Sequence, residues 1–267
     1  MTQESPSMNR SGWTFGLGLM LALAAPGSLR AQTDYVPDAH AASPDTLGPA
    51  RWGFSVTPYL WSAGQKGRLG VNGSEADLDL SVGDVLDNIK VGLAALGEAR
   101  RERWLGRLDF VYHSIGDDEA AGVQTIHASL DQVIVQPEVG YALLERPWGG
   151  VDGLAGVRYW HTDAGVDVTE SGTQVAAVSG SKGWVDGTVG ARLRYGFARR
   201  WHLTGKADVG AGGSDFTWQA LGGVGIDVGA CCTALAAYRH LDTDYESDDF
   251  VYDAYLSGPT LGFEARF

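Results

Sequence analysis

The sequence predicts an all-β fold, an antiparallel transmembrane β-barrel of about ten strands, and three observations predict it. Segments in which apolar and polar residues alternate recur along the chain, as in 201–209, and this alternation gives a strand one apolar and one polar face. No helical pattern supplies a layer that would cover the apolar faces. The last residue is an aromatic one, Phe267. A closed barrel with lipid outside and a polar interior satisfies this pattern.

Composition narrows the class of protein further. The chain has 267 residues, 38 of them glycine, and a formal net charge of −13. Its mean hydropathy is −0.10, far too low for a helical membrane protein. Beyond the N-terminus no apolar run is long enough to cross a bilayer as a helix. The acidic balance argues against a nucleic-acid partner, which would need a basic surface.

The N-terminus is predicted to be a signal peptide covering residues 1–31. Arg10 gives a positive start, and the apolar stretch 13–25 is too short to span a bilayer as a helix. Residues 32–50 are rich in Ala, Pro, Asp and Ser, and we expect a flexible periplasmic segment there. The barrel is then expected to occupy 51–267, in the outer membrane.

The first four predicted strands cover about 52–63, 90–100, 104–115 and 123–144. In each strand the apolar residues stand at alternate positions, so we expect them to face lipid. They are Phe54, Val56, Pro58 and Leu60; Val91, Leu93, Ala95 and Ala99; Trp104, Leu108, Phe110 and Tyr112; and Val133, Val135, Val139, Tyr141 and Leu143.

The remaining six predicted strands cover about 150–162, 183–197, 201–209, 215–228, 232–244 and 250–267. The lipid-facing residues expected on the clearest of them are Val151, Ala155, Val157 and Tyr159; Val185, Val189, Ala191, Leu193, Tyr195 and Phe197; Phe216, Trp218, Ala220, Val224, Ile226 and Val228; and Leu261, Phe263 and Phe267. The segment 232–244 is ambiguous in phase.

The connections between these strands alternate in predicted length. The long ones are 64–89, 116–122, 164–182 and 245–249, and the short ones are 101–103, 145–149, 198–200 and 229–232. Long external loops and short periplasmic turns, with both termini in the periplasm, are typical of an even-stranded barrel. The short link 213–215 is the exception.

The connection 64–89 carries two local signals. The Asn72-Gly73 pair favours a hairpin turn, and Ser81 with Asp84 three residues later favours the start of a helical turn. Because the hairpin at 67–81 can be counted either way, eight or twelve strands remain alternatives to ten.

Charged residues determine the phase of the strands. On the sixth strand, the opposite phase would turn Asp186, Arg192 and Arg194 toward lipid. An arginine facing the middle of the bilayer costs about 2–4 kcal/mol, so the exposure of all three would cost roughly 5–10 kcal/mol. We therefore expect these side chains to point inward.

Several motifs resemble those of a widespread, little-characterised family of proteobacterial outer-membrane β-barrels. The matching segments are 58–61 (Pro-Tyr-Leu-Trp), 77–86, 183–186, 208–210, 214–219, 238–242 and 258–262 (Gly-Pro-Thr-Leu-Gly). The resemblance covers about 52–267. It implies an outer-membrane barrel with no agreed biochemical activity, and it implies that Phe267 is the signal read by the barrel-assembly machinery. Gly187 departs from the family, since many relatives are expected to have proline there.

The polar residues on the inner faces form the candidate site, a charged network in the lumen. They are Glu98, Arg100, Arg107, Asp109, Glu138, Asp152, Arg158, Asp186, Arg192, Arg194, Lys206, Asp208, Asp227, Glu264 and Arg266. Acidic and basic residues nearly balance, and buried charges must be paired or solvated. The first hypothesis is a mutually paired plug that fills the barrel, and the alternative is a narrow porin-like channel for small solutes or ions.

The excess negative charge lies in the predicted loops, at Glu75, Asp77, Asp79, Asp84 and Asp87; Asp117, Asp118 and Glu119; and Asp242, Asp244, Glu246, Asp248 and Asp249. These residues form a solvated acidic face, or they hold divalent cations that bridge to lipopolysaccharide phosphates. No cofactor and no protein-bound metal centre is expected. The expected partners are outer-membrane lipid, lipopolysaccharide and the assembly machinery, and the chain is expected to be a monomer.

Enzymatic activity is the third alternative. Omptin proteases use Asp and His near the external rim, and the pairs His161–Asp163 and His240–Asp242 lie near such a rim. Lipid A deacylases use His and Ser on one strand, which His127 and Ser129 resemble. Residues two apart share a strand face by chance in many sequences, so we expect no enzyme.

The adjacent Cys231 and Cys232 are predicted to form a small-residue turn, with a vicinal disulfide as the alternative. The sequence therefore predicts an outer-membrane barrel with a mostly filled lumen and acidic external loops, in a structural or surface-interaction role.

Overall fold

The computed structural model describes residues 51–71, 73–121, 124–170 and 173–267. The predicted signal peptide and the segment 32–50 lie outside the described residues. In order, the elements are β1 (Gly53–Trp61), β2 (Gly64–Val71), β3 (Ser74–Leu80), α1 (Val82–Asn88), β4 (Ile89–Arg101), β5 (Trp104–Ala121), β6 (Gln124–Arg146), β7 (Gly149–Glu170), β8 (Thr173–Ala198), β9 (Trp201–Gly212), β10 (Phe216–Val228), β11 (Cys232–Ser247) and β12 (Phe250–Arg266). Within the described residues, no helix has the length and apolarity needed to cross a bilayer.

Ten strands close into an antiparallel barrel. β1 pairs with β4, each later strand pairs with the next, and β12 returns to pair with β1, as at Ser55 opposite Arg266 and Tyr59 opposite Gly262. The predicted barrel class is confirmed, with ten strands in the wall. β2 and β3 are additional to it. We call the end of the barrel that carries Gly53, Arg266 and the short turns after β4, β6, β8 and β10 the terminal end, and the opposite end the far end.

The β2–β3 hairpin continues the wall at the far end. β12 pairs with β2 from Phe250 to Ser257 and with β1 from Thr260 onward. Two predictions for this connection are confirmed. Gly73, at the turn after β2, has a positive φ of 79°, and α1 begins with the expected cap: the Ser81 amide donates to Asp84 Oδ2 at 2.8 Å and the Asp84 amide donates to Ser81 Oγ at 3.2 Å.

The predicted long loops at 116–122, 164–182 and 245–249 are wrong, because strand pairing continues through most of each segment. β5 runs to Ala121, and β7 and β8 have 22 and 26 residues, paired almost without interruption up to Glu170 and Thr173. At about 3.3 Å per residue, β8 is roughly 85 Å long, several times the thickness that a barrel band requires. The hairpins project past the band, and beyond Ala164 on β7 and its partner Gly180 on β8 both faces meet water. Apolar alternation therefore fades although strand pairing continues.

β9 and β10 have 12 and 13 residues, against 26 in β8 and 16 in β11, the strands that flank them. Their turn, 213–215, is fastened to the flanking strands: the Gly213 amide donates to Val185 O at 2.8 Å and the Asp215 amide donates to Asp244 O at 2.9 Å. The predicted short link is therefore a low point in the far rim, between β8 and β11.

An apolar band surrounds the part of the barrel nearer the terminal end. On β8, every outward position from Val185 to Phe197 is apolar, and Val189 is 60% exposed. This span is about 40 Å of strand, or about 30 Å along the barrel axis at the usual tilt, which matches a bilayer core. Outward aromatic residues mark the border of the band at the terminal end: Trp52, Trp104, Tyr141, Trp148, Tyr195, Phe197, Trp201 and Phe267.

The hydrophobic core lies inside the barrel toward the far end. Its centre is a stack of aromatic rings: Trp160 lies parallel to Trp184 with centroids 5.6 Å apart, and Trp184 lies against Tyr245 at 4.4 Å. Tyr252 and Phe250 complete the layer, which is almost fully buried. Sequence reasoning did not find this layer, although Trp160 shares its strand face with Arg158, whose inward direction was predicted.

Candidate functional site

Polar side chains from distant strands meet inside the barrel. The Arg158 guanidinium on β7 donates to Asp208 on β9 at 2.5 Å, and Tyr59 on β1 donates to Asp109 on β5 at 2.6 Å. Gln219 on β10 donates to Gln136 on β6 at 2.8 Å. Since these strands are not neighbours in the sheet, the contacts must cross the interior. The candidate site is therefore the lumen itself.

Within the continuous network, the layer nearest the terminal end is centred on Asp152. Arg100 donates to both of its oxygens, at 2.9 and 2.8 Å, and Arg192 donates to Oδ2 at 3.1 and 2.9 Å. The Arg194 guanidinium is 3.6 Å away. Three cations thus share one carboxylate that is almost fully buried.

A chain of ion pairs connects this layer to the middle of the barrel. Glu98 accepts from Arg192 at 2.5 Å and from Arg107 at 2.8 Å. Arg107 also donates to Glu138 at 2.7 Å, and Lys206 is 2.8 Å from Glu138. The charges alternate in sign, which is what a buried network needs in order to offset desolvation.

The chain of contacts continues upward through Asp208. Lys206 is 3.1 Å from this carboxylate, and Gln219 donates to it at 2.5 Å. Gln219 in turn accepts from Arg239 at 3.1 Å, and Arg239 is 3.0 Å from Asp109. The Arg239 guanidinium also lies 4.4 Å above the Trp61 ring. One continuous polar network therefore joins most of the predicted residues.

Four predicted residues lie outside this network. Asp227, Glu264 and Arg266 form a separate group at the terminal end, where Arg266 is 3.4 Å from Asp227 and 3.2 Å from Glu264. Asp186 is fully buried farther up, and its Oδ1 accepts from the Ser214 amide at 2.8 Å. Asp186 thus fastens the turn between β9 and β10.

Arg239 was missed because its strand gave no clear phase. In the structure Thr233, Arg239 and Thr243 on β11 are buried, whereas Tyr238 is exposed. Ala234, Ala236 and Ala237 place small side chains on both faces of this strand, so alternation gave no signal there. Arg239 shares its parity with Thr233 and Thr243, and these two threonines are the one signal that could have revealed it.

Neutral polar residues close the interior above the charged layers. Gln65 on β2 donates to Gln132 on β6 at 2.9 Å, and Gln132 donates to the Tyr252 hydroxyl on β12 at 2.7 Å. All three side chains are 0% exposed. The β2–β3 hairpin therefore contributes to the filling of the barrel as well as to its rim.

The His–Asp pairs considered for catalysis lie on the outer surface. His161 is 3.0 Å from Asp163 and is stacked on the exposed Tyr159. His240 lies between Trp218 and Tyr255, at 4.7 and 5.1 Å. Both histidines thus belong to an outer aromatic border on the far side of the apolar band. The side chain of His127 lies outside the described part of the structure.

Acidic residues dominate the described outer surface of the far end. A cleft of about 370 Å³ lies between the ends of the β2–β3 and β11–β12 hairpins, lined by Glu75, Glu246, Asp248 and Asp249 among others. Arg68 on β2 is 2.7 Å from Asp253, which raises the pKa of the guanidinium. The side chains of Asp87, Asp117, Asp118 and Glu119 are outside the described part.

Cys231 and Cys232 are free thiols at the terminal end, with sulfur atoms 2.7 Å apart. Cys231 ends the turn between β10 and β11, as expected, and Cys232 begins β11. The Cys231 carbonyl accepts from the Arg266 amide at 2.8 Å, next to the C-terminus.

Comparison with solved structures places the fold among outer-membrane β-barrels. The outer-membrane protease OmpT of Escherichia coli matches with a TM-score of 0.54 and 11% identity, over 84% of this chain and 100% of that one. The translocator domain of the autotransporter NalP of Neisseria meningitidis gives 0.40 and 15% identity, over 84% and 90%. The attachment invasion locus protein Ail of Yersinia pestis gives 0.35 and 14%, over 80% and 99%.

The OmpT match, at this low identity, establishes the fold alone, and the other two are too distant to support an argument. No protein-family model matches the chain. No curated protein matches it either. The family resemblance drawn from the motifs therefore stays a prediction.

Proposed function

We propose that this chain is an integral outer-membrane protein whose filled barrel anchors an acidic external surface, in a structural or surface-interaction role. The terminal end lies in the periplasm and the far end faces outward. Outer-membrane lipid surrounds the apolar band, and lipopolysaccharide lies against the outer leaflet side. The barrel is a monomer in this proposal. We propose no catalytic role for the His–Asp pairs, because the described ones lie on the outer wall.

The observation that supports a closed lumen is the trio of Gln65, Gln132 and Tyr252. These side chains come from β2, β6 and β12, meet across the interior and are inaccessible to water. Arg158 and Trp160 are equally inaccessible just below and beside them. A solute would have to displace hydrogen-bonded or stacked groups at several successive layers, which favours a plug over a porin-like channel.

Planar bilayer recordings test the closed barrel. We expect no stable openings from the purified full chain. The matched control is the double variant Arg158→Gly, Arg239→Gly, which removes two cations from the charged layers but keeps the Gln65–Gln132–Tyr252 trio, and it should stay closed as well. Large, stable openings of the unaltered protein would make it a channel and overturn the proposal.

Cysteine labelling on intact cells tests location and orientation. In a chain with Cys231→Ser and Cys232→Ser, Glu75→Cys at the far end should react with a membrane-impermeant maleimide. Ala230→Cys, in the exposed turn at the terminal end, should react only after the outer membrane is opened. The reverse pattern would invert the orientation, and recovery of the protein in the soluble fraction would remove the membrane role.

Recognition by the barrel-assembly machinery is proposed for Phe267. This residue is 76% exposed, and its amide donates to Phe54 O at 2.9 Å, so its ring stands outside the seam between β1 and β12. Phe267→Ala should lower the amount of folded barrel in the outer membrane, while the same substitution at the exposed Phe197 should not. Equal assembly of both variants would remove this role.

Divalent cations at the acidic far end are a further part of the proposal. The cleft at Glu75 and Glu246 is lined by carboxylates, the oxygen ligands that Ca²⁺ and Mg²⁺ prefer. Among the described residues no three acidic, His or Cys side chains are grouped to hold one ion, so the binding proposed is weak. Calorimetric titration with CaCl₂ should give saturable binding that weakens in a Glu246→Gln, Asp248→Asn, Asp249→Asn variant. Absence of binding to the unaltered protein would leave the acidic face as a solvated surface only.

A further inference from the structure

Exposed arginines gather at the terminal end, although the chain as a whole is strongly acidic. The short turns and the segment before β1 carry six of them: Arg51, Arg101, Arg103, Arg146, Arg199 and Arg200. The same exposed segments carry two acidic residues, Glu102 and Glu145. A carboxylate at Phe267 and the inward-facing group of Arg266 with its two acidic partners do not remove this surplus.

The ion pairs at this end involve other arginines. Within the described residues they join carboxylates to inward-facing guanidinium groups, those of Arg100, Arg192, Arg194 and Arg266. Glu145, one of the two exposed acids, is 3.9 Å from Arg100. Because arginine stays protonated in proteins, the six exposed arginines present positive charge that the described carboxylates do not neutralise by contact.

The exposed arginines precede tryptophans at the border of the apolar band. The pairs are Arg51-Trp52, Arg103-Trp104, Arg200-Trp201 and, with one proline between, Arg146 and Trp148. The four indoles are outward and between 44% and 59% exposed. Neighbouring strand residues are about 3.3 Å apart, so the guanidinium groups stand just outside the hydrocarbon, at the level of lipid headgroups.

Two of these guanidinium groups lie against rings of the border. The Arg101 guanidinium is 5.6 Å from the centre of the Trp52 ring, and that of Arg103 is 4.9 Å from the centre of the Tyr141 ring. Arg101 also pairs across β4 and β5 with Trp104, whose exposed ring faces lipid. Both charges therefore lie on the outer surface of the barrel and not in its lumen.

From this arrangement we propose that the six exposed arginines, which we call the arginine arc, bind phosphate groups of anionic phospholipids in the leaflet next to the terminal end. Planar guanidinium groups fit two oxygens of a phosphate, and the neighbouring indoles suit the boundary between acyl chains and headgroups. The positive surplus favours lipids with a net negative charge over zwitterionic ones. This inference rests on the membrane location proposed above and adds the class of lipid.

Electron spin resonance of spin-labelled lipids tests the arginine arc. The folded full chain is placed in phosphatidylcholine vesicles with labelled phosphatidylglycerol or labelled phosphatidylcholine, and the immobilised fraction of each label gives their relative association constant. We expect phosphatidylglycerol to associate about threefold more strongly, because the roughly fivefold advantage beside one arginine is averaged over all lipid positions around the barrel. Added NaCl should reduce this preference by screening.

Two double variants separate the arc from the net charge of the protein. Arg101→Gln, Arg103→Gln removes two cations from the arc and should lower the preference to less than about twofold. Lys66→Gln, Arg68→Gln removes two cations at the far end, where the side chains are 51% and 52% exposed and each is paired with a carboxylate. This control should leave the preference unchanged.

Every outcome supports or overturns the proposal. Equal association of the two lipids with the unaltered protein would overturn it and leave the membrane role intact. Equal losses in the two double variants would also overturn it, since they would indicate attraction by net charge alone. A protein that does not enter the vesicles would overturn the membrane location, and this inference with it. If the Arg101→Gln, Arg103→Gln variant alone fails to insert, Arg146→Gln, Arg200→Gln replaces it with the same expected loss.

Discussion

The indole of Trp184 stacks on the phenol ring of Tyr245 above the short β9–β10 hairpin, with centroids 4.4 Å apart and an angle of 19° between the planes. Trp184 lies on β8 and Tyr245 on β11, the two strands that flank the low point of the rim. The stack therefore closes a gap that hydrogen bonds between strands leave open.

Loss of this stack should destabilise the far half of the barrel. Tyr245→Ala removes a buried ring and leaves a cavity beside Trp184, and we expect a loss of about 3–5 kcal/mol in the free energy of unfolding. Tyr245→Phe keeps the ring and should cost less than about 1.5 kcal/mol. Urea unfolding in detergent measures both, and similar losses for the two variants would mean that the hydroxyl, not the stack, is what matters.

The buried pair of Arg158 and Asp208 should be far more sensitive to single than to double replacement. Both side chains are almost inaccessible to water, so Asp208→Asn leaves an uncompensated buried guanidinium, at a cost of about 3–5 kcal/mol. The double variant Arg158→Met, Asp208→Leu should lose clearly less than the sum of the single losses. Additive losses in the unfolding free energy would contradict a coupled pair.

Gly258 on β12 lies against the junction between β1 and β2, and a side chain at this position should be destabilising. A Cβ at Gly258 would lie against the Ser62 carbonyl oxygen, a backbone atom that cannot move aside easily. We expect Gly258→Ala to cost about 1–3 kcal/mol through strain. Gly222→Ala on β10 meets nothing within 4 Å and serves as the control, expected to be neutral or slightly stabilising.

An arginine substitution should be destabilising within the apolar band and tolerated on the projecting part of the same strand. Val189→Arg places a cation in the middle of the band and should cost about 2–4 kcal/mol when the barrel unfolds from lipid vesicles. Ala177→Arg points outward on the projecting part of β8, is exposed, and should be close to neutral. Equal tolerance of the two would place the membrane elsewhere.

The cap of α1 should depend on pH. Hydrogen bonds from Ser81 hold the pKa of Asp84 below its ordinary value, so the cap is fully present above the unfolded pKa of about 3.9 and is lost as the pH falls through the lower folded value. Ser81→Ala should return the pKa of Asp84 toward its ordinary value. Carbon NMR titration of the Asp84 carboxyl measures this, and an unchanged midpoint would exclude the cap as the cause.

Sequence patterns predicted the barrel well where one face meets lipid and the other does not. On β8 the alternation between Val185 and Phe197 is strict, because charge on the outer face is so unfavourable there. Beyond Ala164 and its partner Gly180 both faces meet water, so the physical reason for alternation ends there, and a paired hairpin resembles a loop. This explains why 164–182 was predicted wrongly although its strands are continuous.

The interior could be predicted only one strand at a time. Alternation predicts that Arg158 and Asp208 point inward, but no rule of spacing predicts that they meet, since β7 and β9 are separated by β8. Partners depend on strand number, tilt and stagger, which a single sequence does not determine. The aromatic layer was missed for a related reason: Tyr159 and Trp160 are adjacent aromatic residues on opposite faces, and composition does not distinguish them.

The division of β12 between two partners has a consequence for how the cylinder forms. Its first half meets β2 and its second half meets β1, residues about 200 positions earlier in the chain, so this join carries the largest entropy cost of any strand pairing here. Until the final segment arrives, the molecule is an open ribbon with two unsatisfied margins. A chain that stops before residue 250 therefore loses the pairing that closes the barrel and the pairing that holds the β2–β3 hairpin. We expect it to be degraded as an open sheet rather than to persist as a smaller barrel.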